Sequence, residues 1–259
     1  MNPNLREIVK EELQKLLNVN FIYPILDSHW VSQLLIVLKK NGKWRVCIDY
    51  RELNKATLKD RFSLPFIDQV LDTLARKKHF SFLDGFSGYN QIQVAPEDQD
   101  KTTFTCPWGT YAYQVLPFGL CNAPSTFQRE FLGIFFDLIH DCVDVYMDYF
   151  TVYGNSFEEA LKNLEKVLIR CKEANLSLSD EKCFMMFTEG IVLGNHISGD
   201  GIRVDTSKVE VIYKLSVPNC QRDVRSFLGF TGYYIIFIEK FTKIAYPLFK
   251  LLTKYCEFS

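Results

Sequence analysis

Tyr146-Met147-Asp148-Tyr149 is the stretch on which the reading of this chain turns. It lies between two short β-type runs, Val143-Asp144-Val145 and Phe150-Thr151-Val152-Tyr153. β-Branched and aromatic residues favour strands, and an acidic break between two such runs predicts a hairpin with a carboxylate at its tip. A second apolar run, Phe80-Ser81-Phe82-Leu83-Asp84, also ends on a carboxylate. Closing a buried strand with a bare carboxylate is costly unless it meets solvent, a partner or a metal. Asp84 and Asp148, at the ends of neighbouring strands, have the chemistry of a Mg²⁺ site, because hard cations take oxygen ligands. Two such ions about 3.5–4 Å apart can clamp both oxygens of an in-line phosphoryl transfer. Either aspartate taken alone reads more simply as a turn or surface residue.

Working outward, 47% apolar residues in 259 give a sizeable core and exclude a disordered chain. A formal net charge of −1 excludes a uniformly basic nucleic-acid binder. The charge is uneven: residues 203–259 hold 9 Lys+Arg against 5 Asp+Glu, and the rest is acidic. A basic appendage on an acidic body suits phosphate gripping beside a metal-using centre, although such a split also arises by chance. The eight cysteines show no zinc-ligand spacing, and several fall in apolar contexts, which predicts free thiols in a reducing interior. The uncharged run Ser226–Ile238, 13 residues, is too short to span a bilayer, so no membrane partner is expected.

Apolar spacing predicts an amphipathic helix over Leu5–Leu17 and strands at Leu34–Leu38 and Trp44–Asp49 joined by an Asn41-Gly42 turn. It also predicts a helix over Phe66–Ala75, a hairpin around Pro107-Trp108-Gly109 and a helix from Pro124 to about Ile139. Ser156 is placed to cap a helix reaching about Ala174, and short strands follow at Cys183–Phe187 and Ile191–Leu193. Asp205 caps the first of three closing helices. Helices mixed with antiparallel hairpins indicate an α+β fold, with a sheet-based body over 1–202 and a helical subdomain over 203–259.

Six ordered blocks carry a family resemblance. They are Lys43-Trp44-Arg45-Val46-Cys47-Ile48-Asp49-Tyr50-Arg51-Glu52-Leu53-Asn54-Lys55; Ser63-Leu64-Pro65-Phe66-Ile67-Asp68; Phe82-Leu83-Asp84 with Ser87-Gly88-Tyr89; Lys101-Thr102-Thr103-Phe104; Leu116-Pro117-Phe118-Gly119-Leu120-Cys121-Asn122-Ala123-Pro124 with Thr126-Phe127-Gln128; and Arg225-Ser226-Phe227-Leu228-Gly229. In these the chain resembles the reverse transcriptase domain of Ty3/gypsy-type LTR retrotransposon polyproteins. The resemblance implies a right-hand polymerase fold: fingers and palm over 1–202 and a thumb over 203–259. It implies RNA-directed DNA polymerase activity, the two-metal addition of dNTPs to a primer 3′ end on an RNA or DNA template. Asp84 and Asp148 would be catalytic and hold two Mg²⁺, Asp84 also through its backbone carbonyl. Arg45, assisted by Lys39 or Lys40, would hold the triphosphate, since a guanidinium fork suits phosphate. Tyr89 would lie under the sugar and disfavour a 2′-OH, with Phe118 beside it. Leu116, Pro117, Gly119, Tyr146 and Met147 would face template and primer. The partners implied are template–primer, dNTP and the remainder of a Pol polyprotein, in an intracellular setting, cytoplasmic or nuclear. No protease triplet, ribonuclease H carboxylate set or integrase zinc motif stands in the sequence, as expected for one piece of such a polyprotein.

Four positions depart from the family's pattern. Tyr149 stands where a third carboxylate is expected, and a phenol, ionising only near ~10, is a poor Mg²⁺ ligand at neutral pH. Asp144 cannot substitute, because four residues of strand set it roughly 13 Å from Asp148. Ile235-Ile236 replaces a common arginine pair, and Gln33 a common proline. The expected activity is therefore weak or absent. The alternative is a catalytically dead remnant, either binding nucleic acid without chemistry or without a present role.

Overall fold

The computed structural model describes residues 3–38, 42 and 44–253 of the chain. Asn41 of the expected turn, and Lys39 and Lys40, lie outside them. Two compact units divide the chain: the described residues up to Val70 with His79–Phe187, and Leu71–Lys78 with the described residues from Thr188 onward.

The first unit opens with α1 (Pro3–Asn18), β1 (Ile22–Pro24), β2 (Ser32–Leu38) and β3 (Trp44–Asp49), followed by α2 (Arg51–Ala56) and the start of α3 (Ile67–Leu74). Next come β4 (His79–Asp84), α4 (Pro96–Gln99), β5 (Phe104–Cys106), β6 (Gly109–Tyr113), α5 (Ala123–Ile134), β7 (Val143–Tyr146), β8 (Tyr149–Gly154), α6 (Phe157–Glu173) and β9 (Phe184–Phe187). The amphipathic pattern of α1 buries Val9 and Leu13 in one cluster with Ile22 and Phe104, beside a five-stranded sheet ordered β1-β6-β5-β2-β3. The β2–β3 pair is antiparallel, whereas β2 and β5 run parallel.

A second sheet, ordered β7-β8-β4-β9, is antiparallel throughout. Its core joins α5 and α6 through Phe127, Phe131, Phe135, Val143, Val145, Phe150, Val152, Leu164 and Val167. Phe131 stacks on Phe127 at 4.1 Å and on Phe150 at 5.2 Å between ring centroids. Close approach of α6 to β8 depends on Gly154, since a Cβ there would stand 2.5 Å from the Ala160 nitrogen. Ser156 caps α6 as expected: its side chain accepts from the Glu159 N–H at 3.2 Å, while Glu159 accepts from the Asn155 N–H at 2.9 Å. Helix α5 stops at Ile134, short of the expected Ile139. There the Arg170 guanidinium donates to the Ile134 carbonyl at 2.6 Å and to Asp137 at 2.7 Å, a cation placed on a helix C-terminus.

The second unit holds a meander of β10 (Glu189–Val192), β11 (Asn195–Ser198) and β12 (Gly201–Val204), then α7 (Thr206–Tyr213), α8 (Gln221–Gly232) and α9 (Phe241–Leu251). Asp205 caps α7 by accepting from the Ser207 N–H at 2.9 Å. The strands at 195–204 and the short helix α2 are absent from the sequence reading. Ile235 and Ile236 lie in a single 3₁₀ turn, 46% and 51% exposed, so the replaced arginine pair leaves apolar surface facing solvent. No helix among the described residues is long and apolar enough to cross a membrane.

Candidate active site

The hairpin at the tip of β7 and β8 is as tight as the chain permits. Tyr146 pairs with Tyr149, leaving Met147 and Asp148 as a two-residue turn. Met147 takes a left-handed conformation at φ 56°, which L-residues disfavour. Gln128, fully buried on α5, secures it: its amide donates to the Val145 carbonyl at 3.0 Å and accepts from the Met147 N–H at 2.7 Å. Sequence reasoning placed Gln128 in a family block but gave it no role. Only the tertiary pairing of α5 with the hairpin reveals one.

Asp84 closes β4 directly opposite Tyr149 in the β4–β8 register. The Gly85 N–H donates to the Asp148 carbonyl at 3.0 Å, which draws the two strand-end aspartates together. Burial, reinforced by the Asp84 charge, raises the Asp148 carboxyl above the usual carboxylate range. The buried Asp84 carboxylate has a partner that its sequence position did not announce. Lys182 donates to both oxygens, at 3.1 and 3.3 Å. Its ammonium is held above the usual lysine range, first by the Asp84 hydrogen bond and then by the Asp84 and Asp148 charges. The Asp84 backbone carbonyl, expected to serve the metal, instead accepts from the Ser179 N–H at 2.9 Å. Asp144 is buried with its Oδ1 3.2 Å from His140 Nδ1, pairing across to Thr151 rather than reaching the tip.

Around this tip stand most of the other candidates. Tyr89 follows a left-handed Ser87 (φ 49°) in the 3₁₀ turn Gly88–Gln91. Its ring meets Phe118 edge-on at 4.9 Å and Phe127 at 5.1 Å, and burial, followed by the Asp148 charge, pushes its phenol above the usual range. Gly88 permits this: a Cβ would lie 3.2 Å from the Phe127 ring and 3.3 Å from the Asp148 Cβ. The exposed Arg45 places its guanidinium 5.8 Å from the Phe118 ring centroid. A run of ring contacts therefore leads from Arg45 through Phe118 to Tyr89, whose neighbour Gly88 abuts Asp148. Leu116 and Pro117 are buried, so Phe118 and Gly119 form the exposed face of their block. Asn54 fixes that block by donating to the Gly119 carbonyl at 2.7 Å and accepting from the Cys121 N–H at 2.8 Å. Tyr146 and Met147 are half-buried at the tip.

The sequence matches the reverse transcriptase (RNA-dependent DNA polymerase) family over residues 37–231. The chain belongs to the reverse transcriptase family. It is 38% identical over 258 residues to the retrovirus-related Pol polyprotein from transposon 412 of Drosophila melanogaster, covering 97% of this chain and 21% of the relative. It is 36% identical over 253 residues to the Pol polyprotein from transposon gypsy of the same organism, covering 95% and 24%. The chain thus spans less than a quarter of the length of these relatives. Among solved structures it is similar to a foamy viral protease-reverse transcriptase in complex with dsDNA, with a TM-score of 0.87 and 25% identity over 97% of this chain and 52% of that one. The Ty3/gypsy resemblance carried by the motifs and the polymerase architecture both hold. As a family, reverse transcriptases use Mg²⁺.

This chain's donor set does not fit two such ions. One carboxylate has both oxygens on an ammonium, the second is half-buried, and the third position is a phenol 51% exposed. Among the described residues no group of three His, Cys, Asp or Glu side chains is gathered for a metal.

Proposed function

We propose that this chain is the polymerase region of a retrotransposon Pol polyprotein that grips a primer–template duplex and a dNTP, with nucleotidyl transfer slowed or lost. Residues 1–202 would supply fingers and palm, and 203–259 the thumb. Arg45 would hold triphosphate oxygens, Tyr89 and Phe118 the sugar, and Gly119, Tyr146 and Met147 the strands near the primer end. Lys39 and Lys40 are candidates for the triphosphate on the sequence pattern alone. It would work within the cell, in cytoplasm or nucleus, where dNTPs and the rest of a Pol polyprotein are to be found.

One observation carries the reading: Asp84 and Asp148 converge while Tyr149 occupies the strand position facing Asp84. Metal ions supply several kcal/mol of transition-state stabilisation in such reactions. Losing about 4 kcal/mol of it slows a reaction roughly a thousandfold. The Asp84–Lys182 ion pair favours the stronger form of the reading, in which the duplex is bound without chemistry. Primer extension on an RNA template with Mg²⁺ tests it. The unmodified chain is expected to extend at a rate about a thousandfold below Tyr149→Asp. Robust extension by the unmodified chain overturns the reading. Failure of Tyr149→Asp to recover activity moves the defect to another residue.

A further inference from the structure

We propose that Lys182 is the resident counter-cation of this site, occupying by its ammonium the electrostatic role of a divalent ion at Asp84 and competing with any such ion for that carboxylate. The inference deepens the reading above and rests on its assignment of Asp84 and Asp148 to one site.

Three features distinguish Lys182 from an ordinary surface lysine. First, it addresses both oxygens of a carboxylate that is buried, so it answers a charge that otherwise has no solvent to meet. Second, its backbone is fixed to its partner's backbone. The Ser179 N–H donates to the Asp84 carbonyl at 2.9 Å, the Asp84 N–H approaches Cys183 Sγ at 3.4 Å, and Gly85 bridges to Leu178. The turn between those anchors is closed by the Lys182 and Cys183 N–H groups, both 3.1 Å from the Ser179 carbonyl. Third, the carboxylate it holds lies at the centre of the expected ligand set: Asp84 pairs with Tyr149 across the sheet, and the next residue, Gly85, donates to the Asp148 carbonyl at 3.0 Å. With a phenol in place of a third carboxylate, two carboxylates remain, and the single ammonium of Lys182 already meets the charge of one of them. The Lys182 side chain is 64% exposed, which lets the ammonium swing into solvent when its competitor is strong enough.

The test is direct binding of Mn²⁺, followed by its electron paramagnetic resonance signal on the full chain without nucleic acid or dNTP. Lys182→Gln is expected to bind at least about tenfold more tightly than the unmodified chain, because it removes a positive charge held against a buried carboxylate. Lys182→Arg, which keeps the cation, is expected to match the unmodified chain. Asp84→Asn placed on Lys182→Gln should abolish the gain. If Lys182→Gln proves too unstable to titrate, the unmodified chain still decides the matter: the Lys182 ¹⁵Nζ resonance must shift in step with Mg²⁺ occupancy. Equal Mn²⁺ affinity in Lys182→Gln and the unmodified chain, or Mg²⁺ binding that leaves the Lys182 resonance unmoved, overturns the proposal. Neither readout depends on polymerisation, so a wrong assignment of activity would not imitate either result.

Discussion

Met147 holds a left-handed backbone at φ 56°, and the side chain that meets its N–H lies on another element, at Gln128. A two-residue hairpin turn normally selects Gly or Asn where φ is positive. Here the missing conformational freedom is offset from outside, by an amide buried in the packing of α5. Replacing that amide with an apolar group of similar size leaves the buried Val145 carbonyl without its donor and the half-buried Met147 N–H without its acceptor. An orphaned buried polar group costs about 1–3 kcal/mol. Gln128→Leu is therefore expected to lower unfolding stability by about that amount, and to speed hydrogen exchange at the Met147 amide more than elsewhere in β7 and β8. A urea titration paired with amide exchange reads both. Loss of stability with unchanged exchange at Met147 would mean that Gln128 serves the core and not the tip. Asp84 and Asp148 were legible because each ends an apolar run. Lys182 was not, because it sits in the polar stretch Ser179-Asp180-Glu181-Lys182, 98 positions from Asp84, and nothing local marks it.

At the scale of elements, patterns that rest on local chemistry translated directly. β3, β4 and the β7–β8 hairpin follow apolar runs bounded by turn residues, and α6 begins where its Ser156 cap demands. Elements set by tertiary contact did not. Helix α2 is six residues long and has no apolar stripe to announce it; its Asn54 is valued for holding the Gly119 loop. The apolar residues Phe135, Phe136, Leu138 and Ile139 extend the α5 pattern, yet the helix ends at Ile134, where Arg170 meets its last carbonyl. The junction of β8 with α6 provides a ranked prediction. Gly154→Ala drives a Cβ to 2.5 Å from backbone, which a flexible side chain cannot relieve. Overpacking of this kind costs typically about 1–3 kcal/mol and more where backbone must move. Ser156→Ala removes only a cap, worth about 1 kcal/mol. Chemical denaturation should thus rank Gly154→Ala as the more damaging of two substitutions only two residues apart. The reverse order would show that β8 and α6 separate without penalty and that the cap dominates their junction.

For the whole molecule, the question is whether a chain of net charge −1 still holds a polyanion. Cation placement matters more than the sum, since phosphate contacts are local and each releases condensed counterions. The basic excess over 203–259 was visible from the sequence, but whether those charges share a face was not. The structure adds that Ile235 and Ile236 are about half exposed, so neither serves the core of its own unit. Substitution at such positions changes stability by about 0.5 kcal/mol or less. Ile235→Arg with Ile236→Arg should therefore fold normally and restore two cations. If this turn faces the duplex, the log–log slope of affinity against salt should steepen by up to about 1.8, from two phosphate contacts at 0.9 each. Fluorescence anisotropy of a labelled RNA/DNA hybrid, titrated at several salt concentrations, measures that slope for both chains. Salt-sensitive binding by the unmodified chain together with a steeper slope in the double variant supports a retained grip weakened at this turn. An unchanged slope places Ile235 and Ile236 away from the phosphates. Binding too weak to show salt dependence in the unmodified chain favours a folded remnant over a nucleic-acid-binding module, whatever Tyr149→Asp restores at the palm.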